Sequence, residues 1–306
     1  MRLAIVDLGS NSARMVVEEL NADGTYKELI RRKQDTRIAQ NMGEEKILKS
    51  EPIARTIAAL KNFQAVYADY HVDEVRAITT AAVREAKNQA DFLAAVAEQT
   101  GLNFQVLTGD EEAYYDYLGV TSTLAVRDAV ILDTGGASVE VIAVRDGKNL
   151  AQVSLPFGAV NLSERFELAD DIHAKNLLAA NQHVRDLYES LDWLVSLQQV
   201  PVVLLGGANR SLAKMNRSAT HEVNADQIHG YEMSAHTITN LFAELIRLPR
   251  HEREKLAGLD SNRADIIVSG LLPLVNLIEI VAAPTVIFSE SGVREGLIAE
   301  VLATHG

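Results

Sequence analysis

The chain's apolar residues gather into short blocks with polar punctuation. Residues 3–8 (LAIVDL) and 13–20 (ARMVVEEL) are two mostly apolar runs around the polar cluster Gly9-Ser10-Asn11-Ser12, the pattern of two strands joined by a tight turn. Ser50-Glu51-Pro52 then opens a helical pattern with Ile53, Ile57, Leu60 and Phe63 on one face, Ser50 as the expected N-cap and Pro52 in the first turn. A further helix is predicted over 81–100, stopped by Gly101, followed by a strand over 102–107 and a helix over 110–120. At AVILDTGGASVEVIAVRDG, residues 129–147, the strand-turn-strand pattern restarts. Helical stretches over 163–197, a strand PVVLLGG, helices from Ser234, an apolar helix over 264–281, a strand PTVIFSES and a last helix from Val293 complete the reading.

Tight strand pairs interleaved with helices imply an α/β fold with mixed sheets. Two halves are expected, 1–120 and 121–306, with the final helix, about 293–306, packing back on the first. Aligning AIVDLGSNS with VILDTGGAS places Asp7 on Asp133, Gly9 on Gly135 and Ser12 on Ser138, each pair 126 residues apart. One strand-turn-strand unit is used twice.

Composition narrows the chemistry. The 306 residues are 47% hydrophobic, with mean hydropathy near zero, enough to build sizeable cores. There is no cysteine, so thiolate metal sites and thiol nucleophiles are excluded, and the eight histidines show neither His-x-x-x-His nor His-Asp spacing. No basic-apolar leader or 18-residue apolar run is seen, so a cytoplasmic protein without a membrane partner is expected. A net charge of -13 argues against a nucleic acid polymer as partner. The densest basic cluster, Arg31-Arg32-Lys33 with Arg37, reads as a solvated strand edge or loop.

Turns rich in Gly and Ser aim successive backbone N–H groups at one point, because glycine permits positive φ and close approach. Ser10, Asn11 and Ser12 in the first copy, and Gly135, Gly136, Ala137 and Ser138 in the second, are therefore candidate phosphate binders. Each preceding strand ends in a carboxylate, Asp7 or Asp133, placed to hold Mg2+ or a water, and Glu140 on the return strand can reach the same metal. In LTGDEEAYYDYLGV, Thr108 and Glu111 fit a capping box, which leaves Glu112 without a local duty and able to deprotonate a water. Arg14, Arg84 and Arg294 stand in contexts that can bring positive charge to an anion, although a surface ion pair explains each as well. The glycine pair before ANRSLAKM either touches a nucleotide or turns the chain, and Gly207 is taken as a phosphate-binding candidate. Neither a P-loop nor a G-x-G-x-x-G fingerprint is present.

Together these segments resemble the exopolyphosphatase and guanosine pentaphosphate phosphohydrolase (Ppx/GppA) family, within the actin, sugar kinase and Hsp70 superfamily. Eight motifs occur in order: DLGSNSARMVV, AITTAAVREAKN, LTGDEEA, ILDTGGASVEV, LPFGAV, LLGGANR, NRADIIVSG and SGVREG. The resemblance implies two ribonuclease-H-like (actin-like ATPase) domains with an interdomain cleft, Mg2+ as cofactor, a homodimer, and Glu112 as catalytic residue. Alongside it, Arg84, Asp133 and Glu140 are expected to serve catalysis. Three positions depart from the family pattern: Ala137 for the third glycine, Val139 for threonine, and Asn161 where an arginine often stands, which is expected to remove a substrate contact. The chain resembles the short form without the HD-type helical domain. The expected activity is hydrolysis of the terminal phosphoanhydride of polyphosphate, with pppGpp as the alternative substrate. A kinase of the same superfamily and a non-catalytic polyphosphate or (p)ppGpp-binding regulator are the rival readings.

Overall fold

The structure is a computed structural model and describes residues 1–222 and 224–305. Two compact units divide the chain. Unit 1 is Met1–Glu112 with the segment from Leu297 onward, and unit 2 is Ala113–Gly296. The first boundary lies inside a helix, eight residues before position 120.

Unit 1 contains strands β1 (Arg2–Leu8), β2 (Ala13–Leu20) and β3 (Tyr26–Gln34), helix α1 (Ser50–Ala68), strand β4 (Glu74–Thr79), helices α2 (Ala81–Arg84) and α3 (Gln89–Thr100), and strand β5 (Phe104–Val106). Helix α4 (Gly109–Thr123) carries the boundary. The sheet order is β3-β2-β1-β4-β5, with β1, β4 and β5 parallel and β1-β2-β3 an antiparallel meander. β1 is buried along most of its length, as a strand covered on both faces must be, which is why it reads as a continuous apolar run. Its core joins Val6, Met15 and Val17 to Leu60 and Phe63 of α1 and Phe92 of α3.

Unit 2 repeats the plan with β6 (Ala129–Thr134), β7 (Val139–Arg145) and β8 (Lys148–Leu155), then α5 (Ala159–Phe166), α6 (Ala174–Glu189), β9 (Val202–Gly206) and α7 (Gly207–Ala219). There follow β10 (Glu232–Ser234), α8 (Ala235–Leu245), α9 (Arg250–Arg253), α10 (Ile267–Ile280) and β11 (Thr285–Phe288), and α11 (Val293–His305) carries the second boundary. The order is β10-β11-β9-β6-β7-β8, again an antiparallel meander beside parallel strands. Among the described residues no helix is long and apolar enough to cross a membrane.

Three local expectations differ. Ser50 is the first residue of α1 rather than its cap; Lys49 holds that position and no side chain caps it. The helix predicted over 81–100 is split, because the Asn88 side chain is spent on the backbone N–H and C=O of Leu48 (2.9 and 3.0 Å), and Gln89 Nε2 donates to Val83 O (2.9 Å) at the end of α2. Gly101 does stop α3, in the left-handed region at φ 69°. The long helical stretch over 163–197 resolves into α5, α6 and a 3-10 turn at Asp192–Ser196.

Candidate functional site

In unit 1 the first loop is pinned by its carbonyls. Gly9 N donates to Ser12 O (3.1 Å), Arg37 N to Asn11 O (2.9 Å) and Ala39 N to Ser10 O (3.1 Å). The segment at 37–39 is thus a strap across the loop, with Arg37 at φ 46°. Among the described residues the amides of Ser10, Asn11 and Ser12 donate no backbone hydrogen bond, so the carbonyls are turned into the fold and the N–H groups are left for an anion. The strand register sets Asp7 opposite Arg14, and Arg14 opposite Lys33.

Glu111 closes the capping box: its carboxylate accepts from Thr108 N (2.7 Å), and its own N–H donates to Thr108 Oγ1 (3.1 Å). Glu112 is buried and takes a different partner. Arg84, at the end of α2, donates through one nitrogen to Leu107 O (2.8 Å) and to Glu112 Oε2 (3.0 Å). Two carboxylates adjacent in sequence therefore have separate jobs, one capping a helix and one held by a guanidinium.

In unit 2 the second loop is pinned in the same manner by different parts. Gly135 N donates to Ser138 O (3.0 Å), Ala159 N to Gly135 O (2.9 Å) and Val160 N to Gly136 O (2.8 Å). The remaining carbonyl, that of Ala137, accepts from Asn161 Nδ2 (3.1 Å), while Asn161 Oδ1 accepts from Gly158 N (2.6 Å). Asn161, expected to be only a lost contact, is a latch that holds the loop to the start of α5. Gly158 is required there, since a Cβ would stand 2.5 Å from Gly136 C and 2.6 Å from Ala137 N. Neither Gly9 nor Gly135 lies in the left-handed region. Gly135 matters through close approach, a Cβ there standing 3.0 Å from Ser138 O.

Asp133 and Glu140 face each other across β6 and β7, and the buried Asp116 on α4 joins them. One carboxylate oxygen of each lies within 4.8 Å of the others. Three carboxylates so close repel one another unless positive charge comes between them, and their all-oxygen donor set suits a hard divalent cation. Ser154 Oγ donates to Glu140 Oε1 at 2.7 Å, orienting that ligand. Gly292 leaves room for Asp116, since a Cβ there would stand 2.9 Å from Asp116 Oδ1.

Gly206, at φ 93°, approaches Asp133, whose Oδ1 would be 2.8 Å from a Cβ. The neighbouring Gly207 faces the Arg263 guanidinium, which fills the space a side chain would take. Arg263 is thereby brought to the N-terminus of α7. Arg294 is ion-paired with the buried Glu295, which also accepts from Gly292 N (2.9 Å).

Asp116 and Arg263 were not singled out from sequence. Asp116 sits inside YYDYLG, where one acid among aromatic residues carries no signal. Its spacing of four from Glu112, one helical turn, is the clue that was there to read. Arg263 lies within NRADIIVSG, a segment quoted above without a role.

The sequence profile of the Ppx/GppA phosphatase family matches residues 16–305. Among curated proteins, the chain is 26% identical to a bifunctional 3-dehydroquinate synthase/phosphatase of Fusobacterium nucleatum, over 97% of this chain and 46% of that protein. It is 28% identical to a guanosine-5'-triphosphate,3'-diphosphate pyrophosphatase of Pseudoalteromonas atlantica, over 98% of this chain and 58% of that protein. The chain spans about half the length of these curated relatives. Among solved structures, the Aquifex aeolicus member of the Ppx/GppA family superposes with TM-score 0.82 at 28% identity, covering 100% of this chain and 99% of that one. An exopolyphosphatase from Cytophaga hutchinsonii gives TM-score 0.92 at 21% identity, covering 99% and 98%, a likeness of fold.

Proposed function

Because the chain belongs to the Ppx/GppA phosphatase family, we propose that it hydrolyses the terminal phosphoanhydride of inorganic polyphosphate, releasing phosphate with Mg2+ as cofactor. The observation that carries this reading is in unit 2, where a loop with every carbonyl tied back stands directly after the strand that presents Asp133, beside Glu140 and Asp116. Donors for phosphate oxygens and oxygen ligands for a divalent cation are what phosphoryl transfer needs side by side. Asp116, Asp133 and Glu140 would hold the ion, which when bound neutralises charge on the phosphate oxygens.

The remaining steps fall to the chain's own groups. The amides of Gly136, Ala137 and Ser138, and those of Ser10, Asn11 and Ser12, grip phosphate oxygens. Arg14 and Arg263 add positive charge; Arg294 contributes less because Glu295 already neutralises it. Asp7 holds a water beside the phosphate. Glu112 accepts a proton from the attacking water as a P–O bond forms and the P–O bond of the anhydride breaks, the shortened polyphosphate leaving with the bonding electrons. Arg84 fixes the orientation of Glu112 and offers its other N–H groups to the substrate. The name of the Pseudoalteromonas relative favours pppGpp as a second substrate.

The test is phosphate release from tripolyphosphate, long-chain polyphosphate and pppGpp with Mg2+, comparing the native chain with Glu112→Gln. A loss of roughly 10²–10⁴-fold is expected. Undiminished turnover by the variant would overturn the role of Glu112. Binding of either ligand by the native chain with no Mg2+-dependent release would make the protein a regulator.

A further inference from the structure

The basic cluster of β3, Arg31-Arg32-Lys33, takes no part in the chemistry above, yet the strand register places two of its three residues on the face of the first loop. Side chains directly opposite in an antiparallel pair share a face. Asp7, Arg14 and Lys33 therefore form one row across β1, β2 and β3 at the loop end of the sheet, and Ile5, Val16 and Arg31 form the next. Arg32, opposite the core residue Met15, belongs to the other face.

Neighbouring strands stand about 4.8 Å apart and alternate residues of one strand about 6.8 Å, so positive charge continues from Arg14 across to Lys33 and then along β3 to Arg31 at the open edge of the sheet. Arg14 has no ion pair among the described residues. Lys33 pairs with Asp35 (3.0 Å) and Arg31 with Glu28 (2.5 Å), all of them on the exposed edge or the turn after it. Exposed pairs of this kind contribute little and are readily exchanged for a stronger anion. The sequence as a whole is acidic at -13, so a cationic lane leading away from an anion-binding loop is a local exception.

We infer that this lane binds the distal phosphates of a polyphosphate chain whose end is held by the first loop. The inference rests on the proposed function and specifies its substrate as a linear polyanion. A chain with charge on every repeating unit meets a cation at each step outward. A nucleoside triphosphate runs out of phosphate within about the length of the loop, and neither row offers an aromatic ring on which a base could stack.

The test compares native protein, the double variant Arg31→Glu/Lys33→Glu and the opposite-face control Arg32→Glu. Turnover of long-chain polyphosphate and of tripolyphosphate is measured at matched free Mg2+ over a range of NaCl. The double variant should lose about tenfold in kcat/KM on long chains, with a shallower salt dependence, and nothing on tripolyphosphate; Arg32→Glu should behave as native. An equal loss on both substrates, no loss on either, or the same loss in Arg32→Glu would overturn the lane. Binding of long-chain polyphosphate to Glu112→Gln, with and without the double substitution, separates this proposal from the one it rests on. If the native chain releases no phosphate but binding still weakens with the double substitution, the hydrolase reading fails and the lane stands. All three substituted positions are exposed on an edge strand, and an unchanged far-ultraviolet dichroism spectrum and melting temperature confirm folding.

Discussion

The two copies of the strand-turn-strand unit agree in backbone and oppose each other in charge. Each loop closes with the same hydrogen bond, Gly9 N to Ser12 O at 3.1 Å and Gly135 N to Ser138 O at 3.0 Å. Each is preceded by an aspartate that faces one residue of the return strand. In unit 1 that residue is Arg14; at the matching place in unit 2 it is Glu140. One strand further, Lys33 in the first copy corresponds to Ser154 in the second. A row of one acid and two bases suits a phosphate chain, whereas a row of two acids and a hydroxyl, with Asp116 added, suits a cation. Duplicating a turn fixed the donor geometry; changing two side chains per row divided the labour.

Breaking that division should produce its largest effect at the acidic row. Glu140→Gln or Asp133→Asn should reduce Mg2+-stimulated phosphate release by about 100-fold or more, with the required Mg2+ concentration shifted upward; a Mg2+ titration of initial rates reads this. Arg14→Gln breaks the other row and should raise KM roughly tenfold while leaving the Mg2+ dependence where it was. Equal Mg2+ shifts in Arg14→Gln and Glu140→Gln would dissolve the comparison. Asn161→Ala frees the Ala137 carbonyl and loosens only the second loop, for a loss of about fivefold in kcat/KM, with Ala137→Gly near native.

The smallest effect is one of pH. Burial among Phe157 and Phe166, with Arg165 nearby, holds His183 below its ordinary value of 6.5. Near that value the unfolded chain binds the proton and the folded chain does not, so the contribution of His183 to stability is complete above about pH 6.5 and shrinks as pH falls toward the lowered folded value. Phe157 immediately precedes Gly158, so the loss falls on the support of the second loop. Melting temperatures from pH 8 to pH 5 should drop more for the native chain than for His183→Gln.

Much of this was legible before any coordinates. The family followed from eight ordered motifs, and the α/β class with mixed sheets from paired apolar runs between helices. Glu111 and Glu112 were separable because a capping box has fixed spacing. Strand β8 was missed and β3 was read only as a solvated strand edge or loop, for opposite reasons. β3 is exposed at seven of its nine positions and shows no apolar stripe, while the alternation of β8 is blurred by partly buried residues on both faces. The role of Asn161 was out of reach, because a long-range bond to a carbonyl 24 positions earlier leaves no trace in local pattern.

That bond also bears on how the two loops tolerate inherited change. The strap over the first loop is main chain, Arg37 N and Ala39 N, which every residue except proline supplies, so side chains there can drift without loosening their grip. The tie to Ala137 depends on one carboxamide of fixed length. A lineage that exchanges Asn161 must rebuild the second loop at the same time, so positions 137 and 161 are expected to change together in descendants of this chain, and positions 11 and 37 independently.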